Sequence, residues 1–195
     1  MTTDYDAKTA LLVVDVQNDF ADPGGNLYVT EGEKVVPLVN REVDRALEAG
    51  ATVVYTQDWH PESTPHFQKD GGIWPVHCVQ GTWGAEFYPD LKIRGEIVQK
   101  GTGGEDGYSG FTVRHPESGE ARQTGLEDLL RERAIERVVI AGLATDYCVK
   151  ETALDATQKG FETRVLIDAV RAVELEAGDA ERAIKDMESA GAVVE

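Results

Sequence analysis

Cysteine is scarce in this chain: Cys78 and Cys148 are the only two among 195 residues. Two thiols make no disulfide framework, which excludes the small cross-linked secreted scaffolds. No apolar run approaches the ~20 residues that span a bilayer, so no transmembrane segment is expected. Positive charge is also short, with 19 Lys and Arg against 36 Asp and Glu and a formal net charge of −17. Such a balance argues against nucleic acid and anionic membranes as partners. A well-solvated surface accounts for it, and adaptation to high salt is the sharper alternative. The segment Met1 to Thr9 carries Asp4, Asp6 and Lys8 and has no signal-like apolar core. A cytoplasmic protein with reduced thiols is therefore expected. Histidine is rare too: four in all, and three of them, His60, His66 and His77, fall in one region.

What is present reads as one domain over residues 1–195, with 41% hydrophobic and 28% charged residues, the balance of a soluble globular protein. Apolar runs alternate with amphipathic stretches. Strands are expected at Ala10–Val16, Ala51–Gln57, Glu96–Lys100, Arg137–Gly142, Thr163–Asp168 and Ala192–Val194. Helices are expected near Glu33–Ala49, from a Thr124–Glu127 capping box to Arg133, at Asp146–Lys159 and at Gly178–Ser189. Val35, Val39, Val43 and Leu47 recur every four residues, Pro37 fits a first turn and Gly50 a stop. Near-continuous Val, Ile and Leu strands between helices predict an α/β protein, a three-layer α/β/α sandwich around a mostly parallel sheet of about six strands. Two long segments, Asp58 to Arg94 and Gly101 to Gln123, break the alternation. Both leave strand ends, where such folds bind ligands.

Asp58 and His60 follow a buried strand two residues apart, so their side chains point the same way off extended backbone. With His66 and His77 downstream, they offer nitrogen and oxygen donors to a divalent transition ion such as Zn, Fe or Mn. Asp15, Asp58, Lys100 and Cys148 all lie at or just past strand ends, on what a parallel sheet makes one edge. Cys148 falls at the start of a helix, whose N-terminus, with a nearby lysine, lowers a thiol pKa. The same end offers backbone N–H groups for an oxyanion. Each residue also has an ordinary reading: a core cysteine, a turn-capping aspartate, a surface lysine. Cys78 is read as packing. Phe20, Trp74 and Tyr108 fall in the loops, where they either pack or wall a pocket for a flat ring.

Asp15-Val16-Gln17-Asn18-Asp19-Phe20, Gln57-Asp58-Trp59-His60-Pro61, Trp74-Pro75-Val76-His77-Cys78, Lys100-Gly101, Tyr108-Ser109-Gly110-Phe111 and Gly142 through Val149 together resemble the cysteine hydrolases of the isochorismatase-like superfamily, and within it the nicotinamidases. The resemblance runs from Leu11 to Val194. It implies an amidase that turns nicotinamide into nicotinate and ammonia. In that reading Cys148 is the nucleophile, Asp15 the proton carrier, and Lys100 the group that holds both. The N–H groups of Ala144 and Cys148 form the oxyanion hole, beside a cis Leu143–Ala144 peptide. Asp58, His60 and His77 match the metal ligands, and His66 a fourth ligand found in some members. Phe20 and Trp74 flank the ring, with Tyr108 nearby. A related cysteine amidase or ureide hydrolase acting on another small amide keeps the triad and need not have the histidines. An inactive hydrolase fold serving as a metal-dependent binding module is the reading from a different class. The pattern leaves oligomeric state open between a monomer and a homo-oligomer.

Overall fold

The computed structural model describes residues 4–195; Met1 to Thr3, the start of the segment read above as lacking a leader-like core, lie outside them. Strand β1 (Thr9–Val14) is buried at every residue. It sits at the centre of a sheet in which all pairings are parallel. The other members are β2 (Thr52–Asp58), β3 (Glu96–Lys100), β6 (Arg137–Leu143), β7 (Glu162–Arg171) and β8 (Val193–Val194), in the order β3-β2-β1-β6-β7-β8. Between β3 and β6 the chain makes an antiparallel hairpin, β4 (Thr112–Arg114) with β5 (Ala121–Gln123).

The period of two along β1 builds two cores. Leu11 and Val13 join one cluster with Val35, Val39, Val43 and Ala46 of α2 (Val35–Glu48). Ala10, Leu12 and Val14 join the other. That second core is closed by Leu126 and Leu130 of α3 (Leu126–Glu132), Ala153 and Ala156 of α4 (Lys150–Gln158) and Met187 of α5 (Asp179–Ser189). A fully buried Val or Leu contributes about 1.5–3 kcal/mol, so a central strand with no polar face is what this arrangement demands. The result is the expected α/β/α sandwich.

The strand order reverses at β1. The chain moves outward to β2 and β3, then returns to lay β6 on the other flank of β1. Ligand crevices form at such a reversal, beyond the carboxyl ends of the strands. Register aligns those ends: Asp58 pairs with Lys100, Thr56 with Val14, and Val14 with Gly142.

Several boundaries differ from expectation for identifiable reasons. β1 stops at Val14 because Asp15 takes φ 47, a left-handed turn that no strand continues through. A short helix, α1 (Asn18–Ala21), follows at once. The capping box does not form. Gly125 precedes α3 at φ 96, and Thr124 Oγ1 accepts from Leu126 N–H, while Glu127 bonds Lys159 instead of reaching back. The helix expected from Asp146 begins as a wide π turn, Thr145–Val149, before α4 proper. β7 runs on to Arg171 past an irregular register opposite Ile140–Gly142. The α1 turn and the hairpin were hidden in segments without apolar period.

Candidate active site

Strand ends place the ionic half of the site. Lys100 ends β3, and its side chain is fully buried between two carboxylates. Nζ lies 2.7 Å from Asp15 Oδ2 and 2.5 Å from Asp58 Oδ1, donates to the Gly107 carbonyl, and stands 3.8 Å from Cys148 Sγ. Asp15 is held from its other side by Thr56, whose hydroxyl donates to Oδ1 at 2.6 Å. Burial pushes the Asp15 carboxyl up to about 6, opposed by Lys100 and reinforced by Asp58. Burial also opposes ionisation of Asp58, but the Lys100 charge and the histidines win and hold it well below the usual range. Burial works against the Lys100 charge too, yet the two carboxylates keep it firmly protonated.

Cys148 corrects one expectation. It lies inside the π turn, not at the N-terminus of an ordinary helix, and burial raises its thiol pKa despite Lys100. The sulfur lies within 4.8 Å of the Asp15 and Asp58 oxygens. Any nucleophilic role needs a base, and Asp15 is there to be one.

The second half is the histidine cluster. His60, His66 and His77 are all buried, and one ring nitrogen of each lies within 4.8 Å of the others. Asp58 Oδ2 faces them, 3.5 Å from His60 Nε2 and 3.9 Å from His77 Nε2, too far for good hydrogen bonds. His77 Nδ1 lies 2.7 Å from the Pro75 carbonyl, a partner that fixes Nδ1 as the donor and leaves the Nε2 lone pair facing inward. Both ring nitrogens of His60 are buried, with no hydrogen-bond partner among the described residues. Burial lowers His66 to about 3 and His77 to about 4, keeping the imidazoles neutral and able to ligate. Orphaned buried nitrogens, neutral imidazoles and one carboxylate fit a divalent ion. The chain leaves room for this cluster: a Cβ on Gly101, at φ 72, would stand 2.5 Å from His60 Cε1, and one on Gly107, at φ 70, would stand 2.8 Å from Asp58 Oδ1.

Between the halves lies a cleft. Phe20, Trp74 and Tyr108 line it, together with Cys148, Ala144, His66 and His77. Trp74 Nε1 donates to the Tyr108 hydroxyl at 2.8 Å, and Tyr147 packs edge-on against Trp74 at 4.8 Å. The wall is therefore rigid and aromatic, suited to a flat ring. The Leu143–Ala144 peptide is cis. All eleven residues singled out from the sequence thus gather around one crevice.

Some residues of the site were missed. Thr56 carried a signal, since it precedes Asp58 by two in the same strand and so shares its face. Gln17 carried none: its amide donates to the Asp58 carbonyl and accepts from the Asp58 N–H, fixing the end of β2 like an extra strand. Tyr147, Asp106 and Val173, which also line the cleft, come from a turn and loops without periodic pattern.

A parallel sheet flanked by helices, carrying a buried thiol, lysine and carboxylate at its switch point beside an ion-ready cluster, is the architecture of an amide hydrolase. Residues 9–195 match the isochorismatase domain model, and the chain belongs to the isochorismatase family. It is 38% identical to the nicotinamidase of Escherichia coli (strain K12), over 95% of this chain and 93% of that one. The pyrazinamidase of Pyrococcus horikoshii, solved in complex with zinc, is 44% identical with a TM-score of 0.85, covering 96% of this chain and 98% of that one. PnC1 from L. infantum, solved in complex with nicotinate, is 33% identical with a TM-score of 0.88, covering 100% and 96%.

Proposed function

We propose that this chain is an amidase that hydrolyses nicotinamide to nicotinate and ammonia. The observation that carries the reading is Lys100 bridging Asp15 and Asp58 beside the Cys148 sulfur, next to an aromatic cleft also lined by His66 and His77 of the histidine cluster. The nicotinamidase and pyrazinamidase relatives support it.

Asp15 takes the thiol proton as Cys148 Sγ attacks the carboxamide carbon. Lys100 holds acceptor and sulfur together throughout. The backbone N–H groups of Ala144 and Cys148 receive the developing oxyanion. Asp15 returns the proton to the departing nitrogen, ammonia leaves, and water hydrolyses the thioester to the acid. Phe20 and Trp74 clasp the ring, with Tyr108 fixing the Trp74 indole. Asp58, His60, His66 and His77 would hold one divalent ion, Zn, Fe or Mn; when bound, it supplies a Lewis-acid contact for the pyridine nitrogen. The buried histidines beside Asp58 support this ligand set, and the choice among these metals rests on availability and geometry.

Ammonia release from nicotinamide by the purified protein, beside a Cys148→Ala control, tests the reading. Release that disappears in the control is the expected result. No release from reduced, ion-loaded protein would overturn it and move the search to other small amides and ureides.

A further inference from the structure

Asp146 lies two residues before Cys148 in the π turn, is buried, and belongs to neither half of the site. Its carboxylate reaches across to the segment that follows β7. Oδ1 accepts from the Val173 N–H at 2.9 Å and Oδ2 from the Glu174 N–H at 2.8 Å. Glu174 sits at φ 56, a turn that lets two successive N–H groups converge on one carboxylate. Among the described residues these are the hydrogen bonds that hold the two amides. Val173 in turn lines the same cleft as Cys148 and Ala144, and packs against the core that contains Phe20.

We infer that Asp146 is a positioning residue, tying the turn that carries the nucleophile to the Val173 wall and so setting the width of the cleft at the reacting end. Both ends of the tie are fixed by one side chain, so the sulfur and the wall move together. A carboxylate suits this task and an amide does not. Two N–H donors need two acceptor oxygens, whereas Asn turns its own N–H toward one of them. The kinetic consequence rests on the proposed amidase activity; the structural one does not. Loss of the tie loosens a wall that contacts the ring before and during reaction, which weakens ground-state binding more than it slows chemistry.

The test compares Asp146→Asn and Asp146→Ala with Val173→Ala, and with each combined. Amide exchange at residues 173 and 174 should accelerate in both Asp146 variants. Alkylation of Cys148 by a bulky N-aryl iodoacetamide should speed up relative to iodoacetamide itself. With nicotinamide, KM should rise about tenfold in Asp146→Ala, the size expected for losing charge-assisted hydrogen bonds, while kcat should change less. In the Val173→Ala background the Asp146 substitutions should add little further, because the wall through which they act is gone. Should Asp146→Ala fail to fold, Asp146→Asn carries the same readouts. Faster exchange with an unchanged reagent ratio, or fully additive effects with Val173→Ala, would overturn the proposal and leave Asp146 a structural clamp. Wild-type protein inert toward nicotinamide would defeat the amidase reading alone, since exchange and alkylation still decide the role of Asp146.

Discussion

The two halves of the crevice differ in how far the chain completes them. Around Asp15, Lys100 and Cys148 the charges answer each other: one ammonium sits between two carboxylates, with a threonine hydroxyl and a carbonyl taking up the remaining directions. Around His60 the chain stops short: among the described residues neither buried ring nitrogen has a hydrogen-bond partner. The first half is held by the ion pairs of Lys100 with both carboxylates and rests on strand ends. The second stands mostly on loop and is shaped for something the chain does not supply. Asp58 belongs to both, one oxygen to Lys100 and the other to the histidines. A buried polar group without a partner points to a ligand more strongly than a satisfied one does.

That contrast can be broken from either side. The largest effect should come from Cys148→Ala, which removes the nucleophile: turnover should vanish while the purified protein retains about one divalent ion per chain, measured by elemental analysis. Retained turnover would sink the mechanism. His60→Ala should do the reverse, losing the bound ion and most turnover while Cys148 still reacts with iodoacetamide; chelation of the wild type should give the same pattern. Lys100→Met should damage both halves. It leaves two carboxylates buried against each other with no cation, a loss of about 3–5 kcal/mol by the usual measure of a broken buried ion pair, readable as a lower Tm and denaturant midpoint. The smallest effect should come from Thr56→Val, which keeps shape and removes the hydrogen bond to Asp15. A loss of about 1–3 kcal/mol should appear in kcat/KM as a fall of roughly tenfold, with ion content untouched.

Legibility in the sequence followed the same division. Period and composition revealed the parallel sheet, because strands buried on both faces must be apolar throughout. Polar residues that end such runs then stood out, and Asp15, Asp58 and Lys100 were found that way. The histidines were conspicuous by rarity. The reading failed where side chains act on distant backbone. Gln17 bonds a strand end that follows it only after the whole of α2, and Asp146 holds a segment beyond β7. The surroundings of the thiol were not legible for a related reason. A helix terminus can be anticipated from neighbours in sequence, but burial of Cys148 is the work of residues brought in from other elements, and it outweighs the lysine.

By itself, then, the sequence determined the layers of this protein and the residue types at its strand ends, since both follow from local period and from the cost of burying a polar group. The tertiary structure alone decided that Lys100 stands between two carboxylates, that the Cys148 sulfur is buried beside them, and that among the described residues the His60 nitrogens have no hydrogen-bond partner. Each of those is a sum over neighbours distant in the chain, where desolvation and Coulomb attraction compete at distances that only packing sets.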